Sequence, residues 1–316
     1  ILLCSSLFFC CLLLSCNESG NETGKTATAP PMFTAIPTEQ SGVAFNNEVD
    51  PEKVKSPMEY INVYNGAGVA AGDINNDGLP DIFFTGNAVG NKLYLNKGNF
   101  QFEDITDKAG VGANDSWCTG VTMADVNEDG LLDIYVCRSY HDNPFLRSNL
   151  LYINNGDLTF SEKAADYKIG DTGYSISATF LDYNKDGHPD LYVGNHPLGR
   201  IKKTFLEHIQ NWQKPTLEFS DKLYKNNGDG TFTDVTKQAG ILNYCWTLGV
   251  VAADLNEDGW TDIYVAADHT EPDRYYQNNG DGTFSEVSAQ RLNHMSHSSM
   301  GVDAADINND GLLDLA

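Results

Sequence analysis

The chain has 316 residues, with 44 acidic against 20 basic side chains and a formal charge of −24, a balance that repels phosphate backbones and anionic lipid surfaces. Nucleic acid is therefore excluded as a partner. Hydrophobic residues make up 41% and aromatics 11%, enough for a sizeable core and too many for a disordered chain.

In chain order, the first feature is the apolar run Leu7 to Leu14, followed by Ser15-Cys16. It is shorter than the about 20 residues a bilayer-spanning helix needs and has the length of a signal-peptide apolar core. Leu13-Leu14-Ser15-Cys16 resembles a bacterial lipobox, which implies lipidation at Cys16. The alternative is an ordinary signal peptide with an incidental cysteine. Residues 17–32 are polar and contain Gly, Ser, Thr and Pro, the composition of a flexible tether. The expectation is a lipoprotein signal peptide over 1–16, a tether over 17–32, and an exported protein held to the bacterial cell envelope by its lipid, facing the periplasm or the cell surface. Cys4, Cys10, Cys11 and Cys16 belong to this leader. The remaining Cys118, Cys137 and Cys245 form no disulfide framework or zinc spacing and read as buried thiols.

Five copies of one loop then follow, each reading D-x-N-x-D-G-x-x-D. The first four are Asp73, Asn75, Asp77, Asp81; Asp125, Asn127, Asp129, Asp133; Asp182, Asn184, Asp186, Asp190; and Asp254, Asn256, Asp258, Asp262. The fifth is Asp306, Asn308, Asp310, Asp314. Oxygen donors at positions 1, 3, 5 and 9 suit a hard cation such as calcium, and glycine at position 6 permits the sharp turn around it. Up to five Ca2+ ions are expected. These are not EF-hands, which place a bidentate glutamate at position 12 and a helix on each side. Position 12 here is Phe84, Val136, Val193 and Val265, and the flanks are short β-rich runs such as Ile134-Tyr-Val and Ile263-Tyr-Val.

Each loop is therefore predicted as a β-hairpin turn. A second hairpin follows, from runs such as Leu150-Leu-Tyr-Ile-Asn154 and Lys222-Leu-Tyr-Lys-Asn226 to Phe160-Ser-Glu and Phe232-Thr-Asp-Val. Loop starts lie 52, 57, 72 and 52 residues apart. Four strands in a unit of about 50 residues is the arithmetic of a propeller blade. The fold class is all-β, a β-propeller of four-stranded blades over 33–316, with four nearly complete blades and the start of a fifth. Phe33-Thr-Ala-Ile36 with Gly42-Val43 repeats Phe102-Glu-Asp-Ile105 with Gly110-Val111 and reads as an unpaired outer strand. The chain starts at Ile1 and stops at Ala316 inside a repeat, so the expectation is a propeller incomplete at its C-terminal end.

Gly68-Val-Ala-Ala-Gly-Asp-Ile-Asn-Asn-Asp-Gly-Leu-Pro-Asp-Ile82 and its sisters resemble FG-GAP/VCBS repeats, the blades of integrin-α-like propellers, whose loops bind calcium. Pairing with Leu-Tyr-x-Asn-x-Gly and Phe-x-Asp-x-Thr-x-x-Ala-Gly-Val resembles the bacterial relatives of cartilage acidic protein, many of which carry an ASPIC/UnbV domain. The resemblance covers about residues 33–316 and implies a seven-bladed ring.

Three features depart from the bare repeat. The third spacing is lengthened over His196 to Ser220, where Ile201, Phe205, Leu206, Ile209 and Trp212 recur near helical period. It reads as a rim helix, either decoration or a partner-binding protrusion. His141, His196 and His269 follow successive second strands in similar register and are candidates for a ligand face; the alternative is ordinary loop residues. Trp117, Trp246 and Trp260 read as packing between blades. Hydrolase, zinc-protease, Walker and Rossmann signatures do not occur. The functional expectation is a non-catalytic, surface-anchored binding or adhesion scaffold for an extracellular protein or glycan, with no catalytic residues. The alternative is an enzyme acting on extracellular polysaccharide or another envelope substrate.

Overall fold

The computed structural model of the chain describes residues 33–57, 59–197, 205–268, 272–296 and 298–316, with Phe205 and His208 described by backbone alone. The leader, the tether, Cys16, His269 and Ile201 of the insertion lie outside the described residues. The chain divides into two units, Ile1–Ile36 and Pro37–Ala316, and every strand among the described residues belongs to the second.

The repeats fold as expected, into four four-stranded antiparallel sheets and a two-stranded fifth. The first blade is β1 (Val69–Gly72), β2 (Asp81–Phe84), β3 (Lys92–Asn96) and β4 (Phe102–Asp104). The second is β5 (Cys118–Ala124), β6 (Asp133–Arg138), β7 (Leu150–Asn154) and β8 (Phe160–Glu162). The third is β9 (Tyr174–Leu181), β10 (Asp190–His196), β11 (Lys222–Asn226) and β12 (Phe232–Asp234). The fourth is β13 (Thr247–Ala253), β14 (Asp262–Ala267), β15 (Arg274–Asn278) and β16 (Phe284–Glu286), and the fifth begins with β17 (Ala304–Ala305) and β18 (Asp314–Leu315). Within each complete blade the strands lie side by side in chain order, so every connection is a hairpin. This is the blade construction of a β-propeller.

The core lies between the blades, and the two-residue period of the strands sorts it. In β6, Ile134 and Val136 pack with Phe83, Leu93 and Leu95 of the first blade. The intervening Tyr135 and Cys137 pack with Leu191, Val193 and Tyr224 of the third. In β14, Ile263 and Val265 meet Tyr192 and Leu223. A second strand covered on both faces has no polar side, which is why these segments read as unbroken apolar runs. Cys118, Cys137 and Cys245 are buried free thiols within these layers, and burial pushes the Cys118 thiol up to about 12.

The innermost strands β1, β5, β9 and β13 pack against one another in succession. The approach is so close at Gly120 that an added Cβ would stand 2.5 Å from the Ile176 carbonyl oxygen. The segment Phe33–Ile36 forms no ladder. After it, helical turn α1 (Thr38–Ser41) ends on Gly42 at φ +76°, repeating α2 (Thr106–Ala109), which ends on Gly110 at φ +75°. The lengthened third blade holds the expected helix, α3 (Phe205–Gln213).

The loop-distal end of each blade carries a repeated polar pin that the sequence reading missed. The residue just before each third strand accepts a hydrogen bond from the backbone N–H at the end of the second: Asn91 from Gly86 at 3.0 Å, Asn149 from Arg138 at 2.7 Å, Asp221 from Asn195 at 2.7 Å and Asp273 from Ala267 at 2.8 Å. Asp221 is fully buried and also accepts from Tyr192 Oη, Asn243 Nδ2 and Thr247 Oγ1, each at 2.8 Å. Burial nonetheless pushes its carboxyl above the ordinary carboxylate value.

Candidate metal centre

Each nine-residue loop joins the first and second strands of a blade. In every blade the residue before position 1 pairs with position 9: Gly72 with Asp81, Ala124 with Asp133, Leu181 with Asp190, Ala253 with Asp262 and Ala305 with Asp314. The eight residues between must reverse the chain, which two left-handed positions accomplish. Glycine at position 6 has φ between +83° and +89°, and position 4 (Asn76, Glu128, Lys185, Glu257, Asn309) has φ between +57° and +60°. Asparagine tolerates that region better than glutamate or lysine.

The turn directs polar groups inward. In the first loop Asp73 Oδ1 accepts from Asp77 N at 3.1 Å and Asp73 Oδ2 from Gly78 N at 2.7 Å. Asn75 Oδ1 accepts from Asp77 N at 3.2 Å, and Asp77 Oδ1 from Leu79 N at 2.9 Å. The same set recurs in the other four loops. The side chains at positions 1, 3 and 5 are thus held close together by one shared hydrogen-bond pattern, in which the position-3 amide also donates to the position-5 carboxylate, as Asn75 does to Asp77 at 3.0 Å. In the third loop carboxylate oxygens of Asp182, Asp186 and Asp190 all lie within 4.8 Å of one another. An all-oxygen set of carboxylates and an amide carbonyl fits a hard divalent cation.

Position 9 has a second task. Asp81, Asp133, Asp190 and Asp262 are fully buried. Asp133 Oδ2 accepts from Val126 N at 3.0 Å and its Oδ1 from Asn154 N at 2.8 Å. Asp81 does the same with Ile74 and Asn96, and Asp190 with Tyr183 and Asn226. Burial pushes the carboxyl of Asp133 up to about 6 and that of Asp190 up to about 7 against the pull of those N–H donors, and the carboxylates at positions 5 and 1 push further in the same direction. Four like-signed or partly negative donors around one concavity are costly when no cation balances them.

The asparagine ending each third strand is the residue that sequence reasoning missed. Its side-chain amide donates to the carbonyl at position 8 of its own loop, as Asn96 does to Pro80 O at 2.8 Å, and from the second blade on also to the carbonyl at position 2 of the preceding blade's loop. Asn154 reaches Leu132 O at 3.2 Å and Ile74 O at 2.8 Å. Asn226 reaches Pro189 O and Val126 O, both at 3.2 Å, and Asn278 reaches Thr261 O at 3.0 Å and Tyr183 O at 2.8 Å. Recurrence in the Leu-Tyr-x-Asn motif was its one visible signal. Neighbouring loops also touch directly: Asn76 Nδ2 donates to Gly130 O at 2.9 Å, Glu128 pairs with His188, and Lys185 Nζ sits 4.1 Å from the Trp260 ring centre.

The histidines at the other end of the blades are not equivalent. His196 is 5% exposed, its Nδ1 lies 2.5 Å from Asn62 Nδ2, and its ring packs 5.3 Å from that of Trp246. Its polar edge is committed to the fold. His141 is partly exposed and stands edge-on to Tyr140, and burial together with Lys55 and Arg138 lowers its pKa. Trp117 is stacked 4.3 Å from Tyr140.

Four-stranded blades, each turning through an aspartate-rich hairpin loop, define a repeat β-propeller protein. The chain belongs to the FG-GAP-like repeat family, whose pattern it matches over residues 73–136, 140–193, 219–265 and 254–316. It is similar to cartilage acidic protein 1 of Mus musculus, 24% identical over 93% of this chain and 44% of the relative. The protein of the same name from Homo sapiens is 23% identical over 91% of this chain and 42% of the relative. The chain thus spans less than half the length of these curated relatives. A shorter match, 26% identical over 46% of this chain and 18% of the relative, is to phosphatidylinositol-glycan-specific phospholipase D of Bos taurus. Among solved structures, an Agrocybe aegerita lectin specific for non-reducing terminal N-acetylglucosamine superimposes with a TM-score of 0.43 at 20% identity, covering 78% of this chain and 59% of the other.

Proposed function

We propose that this chain is a calcium-stabilised, non-catalytic binding scaffold, exported and held at the cell envelope through lipidated Cys16, that presents its blade face to an extracellular protein or glycan. The observation that carries the reading is one hydrogen-bond pattern repeated in five aspartate-rich loops, with three carboxylates gathered within 4.8 Å in the third. Asp and Asn side chains at positions 1, 3, 5 and 9 of each loop would hold the ion. When bound, calcium would balance the carboxylates and tie the loop to both strands of its hairpin. Proteins built of such repeats are typically extracellular or surface-exposed, where free calcium is plentiful.

Ions that bind only the folded state stabilise it by mass action, about 2.7 kcal/mol per site at about 100 times the dissociation constant. The melting temperature is therefore expected to fall in EDTA and to recover on adding Ca2+. A melt indifferent to EDTA and to added Ca2+ removes the calcium reading. Catalytic turnover of an extracellular polysaccharide by the chain, lost in His141→Ala, would replace the scaffold by the enzymatic alternative.

A further inference from the structure

The first residue of the third strand is basic in three blades, and in two of them its charge is answered across the second hairpin. Lys92 pairs with Asp104 at 2.8 Å in the first blade, and Lys222 with Asp234 at 3.9 Å in the third. The fourth blade breaks this pattern. Glu286, in the matching place, accepts from the backbone N–H and the hydroxyl of Ser288, as Asp104 does from Thr106, and favours the charged form of Arg274 without forming an ion pair with it. Arg274 is left with no ion pair among the described residues, in a chain of charge −24. Its Nε is buried without a hydrogen-bond partner, while the Cys245 side chain stands within hydrogen-bond reach of the guanidinium.

This arginine lines a cavity of about 290 Å³ that the insertion in the third blade helps to build. Trp212 and Pro215 of the insertion form one side, and Leu242, Asn243 and Tyr244 join Arg274 on the other. Trp212, at the end of α3, is 50% exposed. An exposed indole is a flat apolar platform with a polar edge, and a guanidinium fork matches a carboxylate in two parallel hydrogen bonds.

We infer that this cavity is a binding site for a single carboxylate-bearing sugar residue at the end of a glycan, with Arg274 taking the carboxylate and Trp212 covering the ring face. The volume holds about one ring and lies at the lower end of small-ligand pockets, about 300 Å³. One carboxylate fits better than a polyanion, because the acidity of the rest of the chain repels a long negatively charged polymer. The assignment rests on the scaffold reading above and names its ligand class and its site.

Titration calorimetry on the full chain in Ca2+ tests it, with glucuronate, glucose, N-acetyl-dialanine and sulfate as probes. Glucuronate is expected to bind most tightly. Arg274→Gln should weaken it about tenfold or more, Trp212→Ala should weaken glucuronate while leaving the melting temperature unchanged, and Arg274→Lys should lose part of the affinity because a point charge cannot make the fork. Glucose binding as well as glucuronate, or the dipeptide or sulfate binding more tightly, overturns the inference. So does glucuronate binding that Arg274→Gln leaves intact in a folded variant, or no glucuronate binding at all. Failure of the scaffold reading shows differently, as turnover of a polysaccharide or a calcium-indifferent melt.

Discussion

Replacing Asn154 with alanine probes the tie between one blade's loop and the next. The side chain is 4% exposed and makes three hydrogen bonds: to Ile74 O at 2.8 Å, to Leu132 O at 3.2 Å, and from Gly156 N at 3.0 Å. At about 1 kcal/mol net for each bond, the loss is about 3 kcal/mol. The true loss lies at or above that figure, because Ile74 is buried and its carbonyl would be left without its partner. For a chain of this size about 3 kcal/mol corresponds to roughly 6 °C in melting temperature. The neighbouring Asn155→Ala is the control, since its bond to Thr159 Oγ1 at 2.9 Å is exposed and surface changes of that kind stay within about 0.5 kcal/mol. Urea and thermal unfolding in the presence of Ca2+ measure both. If Asn154→Ala melts with Asn155→Ala, the asparagine is not a tie between blades and the coupling described here is wrong. If the coupling holds, Asn154→Ala should also reduce the stabilisation gained from Ca2+, because the loop at Asp73 loses the anchor of its position 2.

Gly120→Ala would place a methyl 2.5 Å from the Ile176 carbonyl oxygen and is expected to destabilise by about 1–3 kcal/mol, the range for overpacking; urea midpoints check it, and a neutral result would mean that the inner strands stand further apart. Asp221 gives the pH prediction. Its folded pKa is raised above the ordinary 3.8 by burial, so the stability it contributes is full below that value and is lost as pH rises through the raised one. The melting-temperature difference between the parent and Asp221→Asn should therefore shift in favour of the asparagine variant between mildly acidic and mildly alkaline pH, and a shift toward the parent would refute the sign.

Most of the blade architecture was legible in the residues. The loop motif is read within nine residues, its glycine and its oxygen donors act locally, and the strands beside it announce themselves by β-branched and aromatic runs. The helix at Phe205–Gln213 was legible for the same reason, as a periodic apolar pattern inside an over-long spacing. Phe33–Ile36, expected as an unpaired outer strand, has no ladder partner among the described residues, and a ladder needs one. The position-4 residues were also invisible: Asn76, Glu128 and Lys185 share no chemistry, only a left-handed φ.

The sequence by itself determined the repeat, the hairpin at each loop and the oxygen set that each loop offers, since these are settled by turn stereochemistry and by residues a few positions apart. Tertiary structure decided what those elements are attached to. Asn154 and Asn226 act on carbonyls 80 and 100 residues away, His196 is buried by Asn62 from a segment 134 residues earlier, and Arg274 shares a cavity with Trp212 of the insertion. None of these follows from local pattern, because each depends on which blade packs beside which and on how closely their backbones approach.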